Sequence, residues 1–284
     1  MTTVSTDTPE IQPELKSKEF ESGRLFISDN VALMKALPGG SIDLTVTSPP
    51  YDDMRTYTGE SHWSLSKFGA IAKELFRVTK DGGVVVWNVA DKTKDGAKSC
   101  SSFRHVLGFV EAGFSLADTM IWEKSGTSLG SNRLYHSNYE FMFILAKGRH
   151  SKFNPIRDRL NKVSGPQTAP NPIKNGKTSG GRRQIVSGEF GKRNNIWRIV
   201  PEQNRVGHPA PFPLALANDH ILSWTDIGDV VFDPFMGSGT TACAAVRTGR
   251  SWVGAEISEE YASIAEQHIL TAEAERHETL GAFA

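Results

Sequence analysis

The chain reads as an α/β protein built on a largely parallel sheet. Short apolar runs alternate with segments of helical spacing, glycine turns follow several of those runs directly, and 284 residues suffice for a sizeable core without disulfide or metal staples. Arg24 to Ser28 is the first strand, and Val31 to Leu37 a helix stopped by Pro38-Gly39-Gly40. Ile42 to Thr47 reads as a buried strand. Ser64 to Val78 carries Leu65, Phe68, Ile71, Ala72, Leu75 and Val78 near helical spacing, and Asp81-Gly82-Gly83 then turns the chain into the apolar strand Val84 to Val89, which completes a β-α-β unit. Phe103 to Ala112 is a second helix, followed by strands around Asp118 to Trp122 and Glu140 to Ala146 that are expected to form an antiparallel edge. From His150 to Arg205 the periodicity lapses into Gly-Pro, Asn-Pro, Gly-Gly and Asn-Gly steps. Regularity then returns with a helix near Pro213 to Trp224, a strand Val230 to Asp233, a glycine turn, a helix to Thr248, a strand Ser251 to Glu256 and a helix from Ser258 towards Ala274. The expected organisation is a flexible tail over residues 1–20, one half-domain over 21–149, an irregular insert over 150–205, a second half-domain over 206–274 and a tail over 275–284.

Hydrophobic residues at 38% and charged residues at 23% exclude a membrane bundle and a disordered polyelectrolyte. The longest apolar run, Phe141 to Ala146, is too short to cross a bilayer, and the first twenty residues lack the apolar centre of a signal peptide, so no membrane association and a cytoplasmic location are expected. Cys100 and Cys243 have no Cys or His partners at ligand spacing, which argues against a disulfide framework and against a metal site. The formal charge is zero, with 32 basic and 32 acidic residues, but it is segregated. His150 to Arg205 holds twelve lysines and arginines against three acidic residues, a net of +9. Such an island suits a polyanion, because each neutralised phosphate releases condensed counterions; Arg182, Arg183, Lys192 and Arg193 are candidate contacts to it.

Two turns carry the chemistry. Val230-Val231-Phe232-Asp233-Pro234-Phe235-Met236-Gly237-Ser238-Gly239-Thr240-Thr241 is a strand running into a glycine turn that opens a helix, a geometry that brings backbone N–H groups close to a ligand. Seventeen residues beyond Gly239, at the end of the next apolar strand, Glu256 is placed to accept both hydroxyls of a ribose. A nucleoside cofactor follows; NAD, and with it an oxidoreductase, is a rival on this motif alone, whereas a P-loop lacks its lysine. At the other end of the chain, Asp43 to Thr47 feeds into Ser48-Pro49-Pro50-Tyr51. The prolines fix φ and remove two donors, which leaves carbonyl acceptors between a hydroxyl and an aromatic ring, a site for a planar heterocycle bearing an amino group.

Thr47-Ser48-Pro49-Pro50-Tyr51 resembles the catalytic motif of amino-group DNA methyltransferases, and Asp233 to Thr240 resembles their S-adenosylmethionine loop. Catalytic motif first, basic segment next and cofactor motif last is similar to the permuted beta class. Asp29, Asp81-Gly82-Gly83, Ile121 to Lys124, Tyr139-Glu140-Phe141 and His208 to Pro213 resemble the same family, so the likeness spans about residues 24 to 272. It implies a Rossmann-like, three-layer methyltransferase fold with a target recognition region over 150–205, S-adenosyl-L-methionine as cofactor and double-stranded DNA as partner, with a restriction endonuclease and a second copy of the chain as further candidates. It also implies that Asp233, Phe235, Gly237 and Gly239 surround the methionine part of the cofactor, with Pro234, Ser238 and Thr240 of the same loop also cofactor-binding, that the segment from His208 to Pro213 lies near its carboxylate, that Glu256 holds the ribose and that Asp29 holds the adenine amino group. Ser48, Pro49, Pro50 and Tyr51 would be catalytic. Ser-Pro-Pro-Tyr is the usual form in cytosine-N4 enzymes, with adenine-N6 transfer as the alternative and a DNA-binding module without catalysis as a distant one. Asp52-Asp53-Met54-Arg55 departs from the cytosine-enzyme pattern after the tyrosine.

Overall fold

The computed structural model describes residues 15–50, 65–125, 134–171, 173–174, 177–178, 180–201 and 212–281. They divide into two compact units, one of residues 155–195 and one of the remainder.

The larger unit is organised on a nine-stranded sheet. Its strands, in chain order, are β1 (Ser17–Glu19), β2 (Gly23–Ile27), β3 (Ile42–Thr47), β4 (Thr79–Val89), β5 (Ser115–Glu123), β6 (Tyr139–Ala146), β7 (Ile196–Arg198), β8 (Val230–Asp233) and β9 (Ser251–Glu256). Across the sheet they run β1-β2-β9-β8-β3-β4-β6-β5-β7. The five strands from β2 to β4 are mutually parallel, as is the β5–β7 pair, while β1, and β6 against both its neighbours, run antiparallel.

Alternation along the strands divides the core between two faces. Phe26, Val85, Trp87, Phe143, Phe232 and Val253 point towards α1 (Asn30–Ala36), α2 (Leu65–Val78) and α3 (Ser101–Ala112), where Leu33, Phe68, Ile71, Leu75 and Phe109 close over them. Helices α4 (Leu214–Trp224), α5 (Thr240–Thr248) and α6 (Glu259–Gly281) pack on one another and on strands of the sheet, and His220 of α4 reaches the Met142 sulfur at 3.3 Å.

Connectivity makes one crevice. From β8 the chain passes through α5 to β9 on one side, and from β3 it passes through α2 to β4 on the other. Neighbouring parallel strands whose helices leave in opposite directions open a gap at their carboxyl ends, where ligands of such sheets bind.

The smaller unit is held chiefly by backbone pairing. Gly165–Pro170 and Arg182–Ser187 form an antiparallel ribbon, Arg159–Leu160 pairs with Phe190–Gly191, and Ile173–Lys174 with Lys177–Thr178. Polar ties add to this, with Asn161 Nδ2 donating to the Gly188 carbonyl at 2.9 Å and Arg193 Nε to Asp158 at 2.8 Å. Among the described residues it contributes no apolar side chain to the buried core.

Several expectations need correction. The strand expected from Val84 begins at Thr79, so Asp81-Gly82-Gly83 is not a turn before it but a kink within it; Gly82 takes φ +80° and the register against β3 shifts between Ile42 and Leu44. The antiparallel β5–β6 pair forms but is not the edge, because β7, inside the segment read as irregular, adds outside it. Neither expected tail is free where it is described. Residues 17–19 form β1, and α6 runs to Gly281. The tie is polar: the Glu21 N–H donates to Glu273 at 3.0 Å, Lys18 pairs with Glu266 and His277 with Glu21. Charged side chains that meet from opposite ends of the chain leave no apolar periodicity to read.

Candidate active site

Four side chains stand just past the carboxyl ends of adjacent strands: Asp29 after β2, Glu256 ending β9, Asp233 ending β8 and Ser48 after β3. At about 4.8 Å per strand spacing, the row spans roughly 14 Å. In the chain, Asp29 and Ser48 lie far from the other pair, and the sheet order brings them together.

The glycine turn has the backbone that its sequence demands. Gly237 and Gly239 take φ +53° and +89°, which side-chain-bearing residues rarely adopt, and a Cβ on Gly239 would come within 3.1 Å of the Ala265 side chain. Glu256 holds the turn in place: one carboxylate oxygen accepts from the Gly237 N–H at 2.8 Å and the other from the Ser258 N–H at 2.8 Å. Each oxygen keeps acceptor capacity for a hydroxyl. Burial pushes the Glu256 carboxyl up, opposed by these backbone donors. Pro234 and Ser238 are buried, Phe235 is half-buried against Trp87 with ring centroids 6.1 Å apart, and Thr240 opens α5.

Asp233 ties the site together from within the protein. Its carboxylate is fully buried and turned onto protein groups: Thr47 Oγ1 donates at 2.6 Å, Thr241 Oγ1 at 2.7 Å and the Phe235 N–H at 3.0 Å. Thr47 immediately precedes Ser48, so Asp233 ties the end of β3 to the glycine turn. Desolvation pushes its carboxyl up to about 6 despite those three donors, with the Glu256 charge acting in the same direction. Thr47 and Thr241 stand in the two sequence motifs but carried no role there; the signal for that role is a hydroxyl residue ending one central strand and another in the first turn of the helix after the acid.

Of the proline turn, Pro49 is buried while Ser48 and Pro50 are half-buried. Tyr51 and His208 lie outside the described residues, as do Asp52 to Arg55; Pro213 is the residue before α4. Asp29 caps α1, one oxygen accepting from the Val31 and Ala32 N–H groups at 2.9 and 3.2 Å, and its other oxygen faces Lys67 at 3.5 Å. Only that second oxygen has acceptor capacity for a ligand amine. Cys243 is buried in α5 with its thiol pushed up to about 12 by desolvation, which removes it as a nucleophile. No group of three His, Cys, Asp or Glu side chains suited to a metal occurs among the described residues, and no helix there is long and apolar enough to cross a membrane.

In the smaller unit Arg182, Arg183 and Lys192 are exposed, whereas Arg193 is ion-paired with Asp158. The unit carries nine basic and two acidic residues, a net of +7.

These features define a class: a Rossmann-like α/β protein with carboxylates and a glycine turn at the carboxyl edge of its sheet. The chain belongs to the N6/N4 DNA methylase family, whose model matches residues 42–267. The orphan methyltransferase M.BamHII of Bacillus amyloliquefaciens is 47% identical over 239 residues, covering 81% of this chain and 89% of that protein. The crystal structure of the PvuII DNA methyltransferase, cytosine-N4-specific, superposes with a TM-score of 0.66 at 23% identity over 87% of this chain and 86% of that one. A DNA modification methylase of Thermus thermophilus complexed with S-adenosyl-L-methionine gives 0.60 at 23% identity over 88% and 95%.

The protein is therefore a DNA methyltransferase of this family. The edge fits a nucleoside-bearing cofactor: Glu256 and Asp29 stand at adjacent strand ends with carboxylate acceptor capacity, and Gly237 and Gly239 let a ligand approach the backbone.

Proposed function

We propose that this protein moves a methyl group from S-adenosyl-L-methionine to the exocyclic N4 of cytosine, within a specific sequence of duplex DNA, on a base turned out of the helix. The reading rests above all on the 2.6 Å bond from Thr47 to Asp233, which sets Ser48 beside the glycine turn across the crevice between β3 and β8.

When bound, the cofactor would supply an electrophilic methyl group on a positively charged sulfur. Glu256 would accept from the ribose hydroxyls while it keeps the Gly237 turn in shape, the Asp29 oxygen that faces Lys67 would also accept from the adenine amino group, and Gly237 and Gly239 would let the backbone approach. Pro213 and His208 are assigned to the methionine end.

An aromatic amine is a weak nucleophile because its lone pair is delocalised into the ring. The Ser48 hydroxyl and the Pro49 carbonyl would accept its two hydrogens, turning the nitrogen towards tetrahedral geometry with its lone pair available to the methyl carbon; the N–C bond would form as the C–S bond breaks to a neutral thioether, and one amino proton would leave to solvent. Pro50 keeps the turn rigid and Tyr51 stacks on the base. Serine at position 48, the residue usual in cytosine-N4 enzymes, favours cytosine over adenine. The basic unit of residues 155–195 serves as the target recognition region.

Glu256→Gln keeps an acceptor for the turn but removes the charge from the ribose contact. Calorimetric affinity for S-adenosyl-L-methionine is expected to fall about 10- to 100-fold; unchanged affinity would remove Glu256 from the site. For the reaction as a whole, methylome sequencing of DNA from cells producing the protein should show N4-methylcytosine in one sequence context. DNA left unmodified, or modified only at adenine, would refute the reading.

A further inference from the structure

The ribbon of residues 165–170 and 182–187 presents its two faces unequally. Pro166, Thr168 and Pro170 pair across it with Val186, Gln184 and Arg182, and all six side chains are exposed. On the other face Gln167, Ala169, Ile185 and Ser187 are half-buried, and Arg183 alone is exposed. Adjacent arginines therefore point to opposite sides of the ribbon. On the open face, Arg182 donates to the Thr168 carbonyl at 3.1 Å and Gln184 Nε2 to the Thr168 hydroxyl at 3.0 Å, so both side chains lie across the ribbon in a set direction. The rest of the guanidinium and the Gln184 carbonyl remain for a partner.

We infer that this open face enters the major groove of duplex DNA, where Arg182 and Gln184 read base edges, while Arg183 contacts phosphate. The inference rests on the proposed methyltransferase function and assigns its sequence selectivity. Three observations favour DNA as the occupant. The unit carries a net charge of +7. A two-stranded ribbon is a shape that the major groove admits. The open face pairs an arginine, whose fork matches the O6 and N7 of guanine, with a glutamine, whose amide matches the N6 and N7 of adenine. Side chains two residues apart on a strand stand about 6.8 Å apart, which is about two base-pair steps. Arg182 and Gln184 thus read positions about two steps apart in one site.

The test uses the full-length protein, S-adenosyl-L-methionine and a randomised duplex library, with methylated contexts read by sequencing. Arg182→Ala is expected to relax preference at one guanine by about 5- to 150-fold, and Gln184→Ala at one adenine about two steps away, with the rest of the context retained. Arg183→Ala should slow methylation at every context alike and lower the salt slope of DNA binding by about one. Calorimetric cofactor affinity equal to wild type shows that the exposed variants are folded. The inference is overturned if Arg182→Ala and Gln184→Ala leave the context unchanged, or if Arg183→Ala alone alters it. A wild-type protein that methylates no duplex would instead refute the underlying function, so the two failures are distinguishable.

Discussion

Ser48→Ala is expected to lower the methyl-transfer rate by about 10²-fold or more while cofactor affinity stays at the wild-type value. The substitution deletes one oxygen and leaves Pro49 and Pro50 to hold the turn, so what is lost is one acceptor aimed at the reacting amine. Loss of a single preorganised hydrogen bond at an active site costs a factor of about 10²–10³. The loss should fall on kcat, because the bond matters most when the nitrogen has left the plane of its ring. Single-turnover transfer of labelled methyl groups, with cofactor calorimetry beside it, separates the two quantities. A fully active variant would remove the hydroxyl from the mechanism.

Asp233→Ala should have a comparable effect by another route. It removes the acceptor that Thr47 and Thr241 share, and the end of β3 is then no longer fixed against the glycine turn. A displacement of the order of 1 Å between reacting groups costs about 10²-fold in rate, and the buried Thr47 hydroxyl, losing its Asp233 acceptor, adds a stability cost of about 1–3 kcal/mol, whereas Thr241 keeps the Val46 carbonyl. Asp233→Asn should recover much of both, since its carbonyl still accepts from Thr47 while the Thr241 hydroxyl turns to the Val46 carbonyl, already 3.2 Å away.

The same pair of variants carries a pH signature. The Asp233 carboxyl, raised from 3.8 to about 6, binds its proton more tightly folded than unfolded. Its contribution to stability is therefore full below about pH 4 and is lost as pH rises through about 6. The loss amounts to roughly 3 kcal/mol, from about two pH units at about 1.36 kcal/mol each. Denaturant titrations of wild type and Asp233→Asn between about pH 4 and 7 should differ by this slope. Parallel curves would mean that Asp233 is not perturbed in this way.

The two motifs of the site were legible in the sequence because each is local. Two prolines constrain their own turn, and two glycines at positive φ after a buried strand constrain another, whatever the rest of the fold does. Glu256 was legible for the same reason, being a carboxylate at a strand end at a fixed distance from that turn. What joins the motifs was not legible. Thr47 and Asp233 lie 186 residues apart, and only the insertion of β8 between β9 and β3 makes them neighbours. For Asp233 in particular, the three donors that its carboxylate accepts from, two of them on other elements, could not be read from the turn's own sequence.

Elsewhere the limits are those of pattern. Three residues, Ile196–Arg198, are too few to show a period of two, and they lie among residues without periodicity. The buried residues of α6 stop at Glu273, so no apolar face marks how far the helix runs beyond it. Charge counting found the basic unit but could not separate Arg182 from Arg183; the register of the ribbon does.

The central claim is that the proline turn presents cytosine N4 to the methyl group. Purified protein incubated with duplex DNA and S-adenosyl-L-methionine, followed by digestion and nucleoside mass spectrometry, tests it most directly. The expected product is N4-methylcytosine, with no N6-methyladenine and no 5-methylcytosine. Finding N6-methyladenine alone would contradict the substrate assignment, and finding 5-methylcytosine would contradict the mechanism, since carbon methylation requires a nucleophile that Ser48 and its turn do not supply.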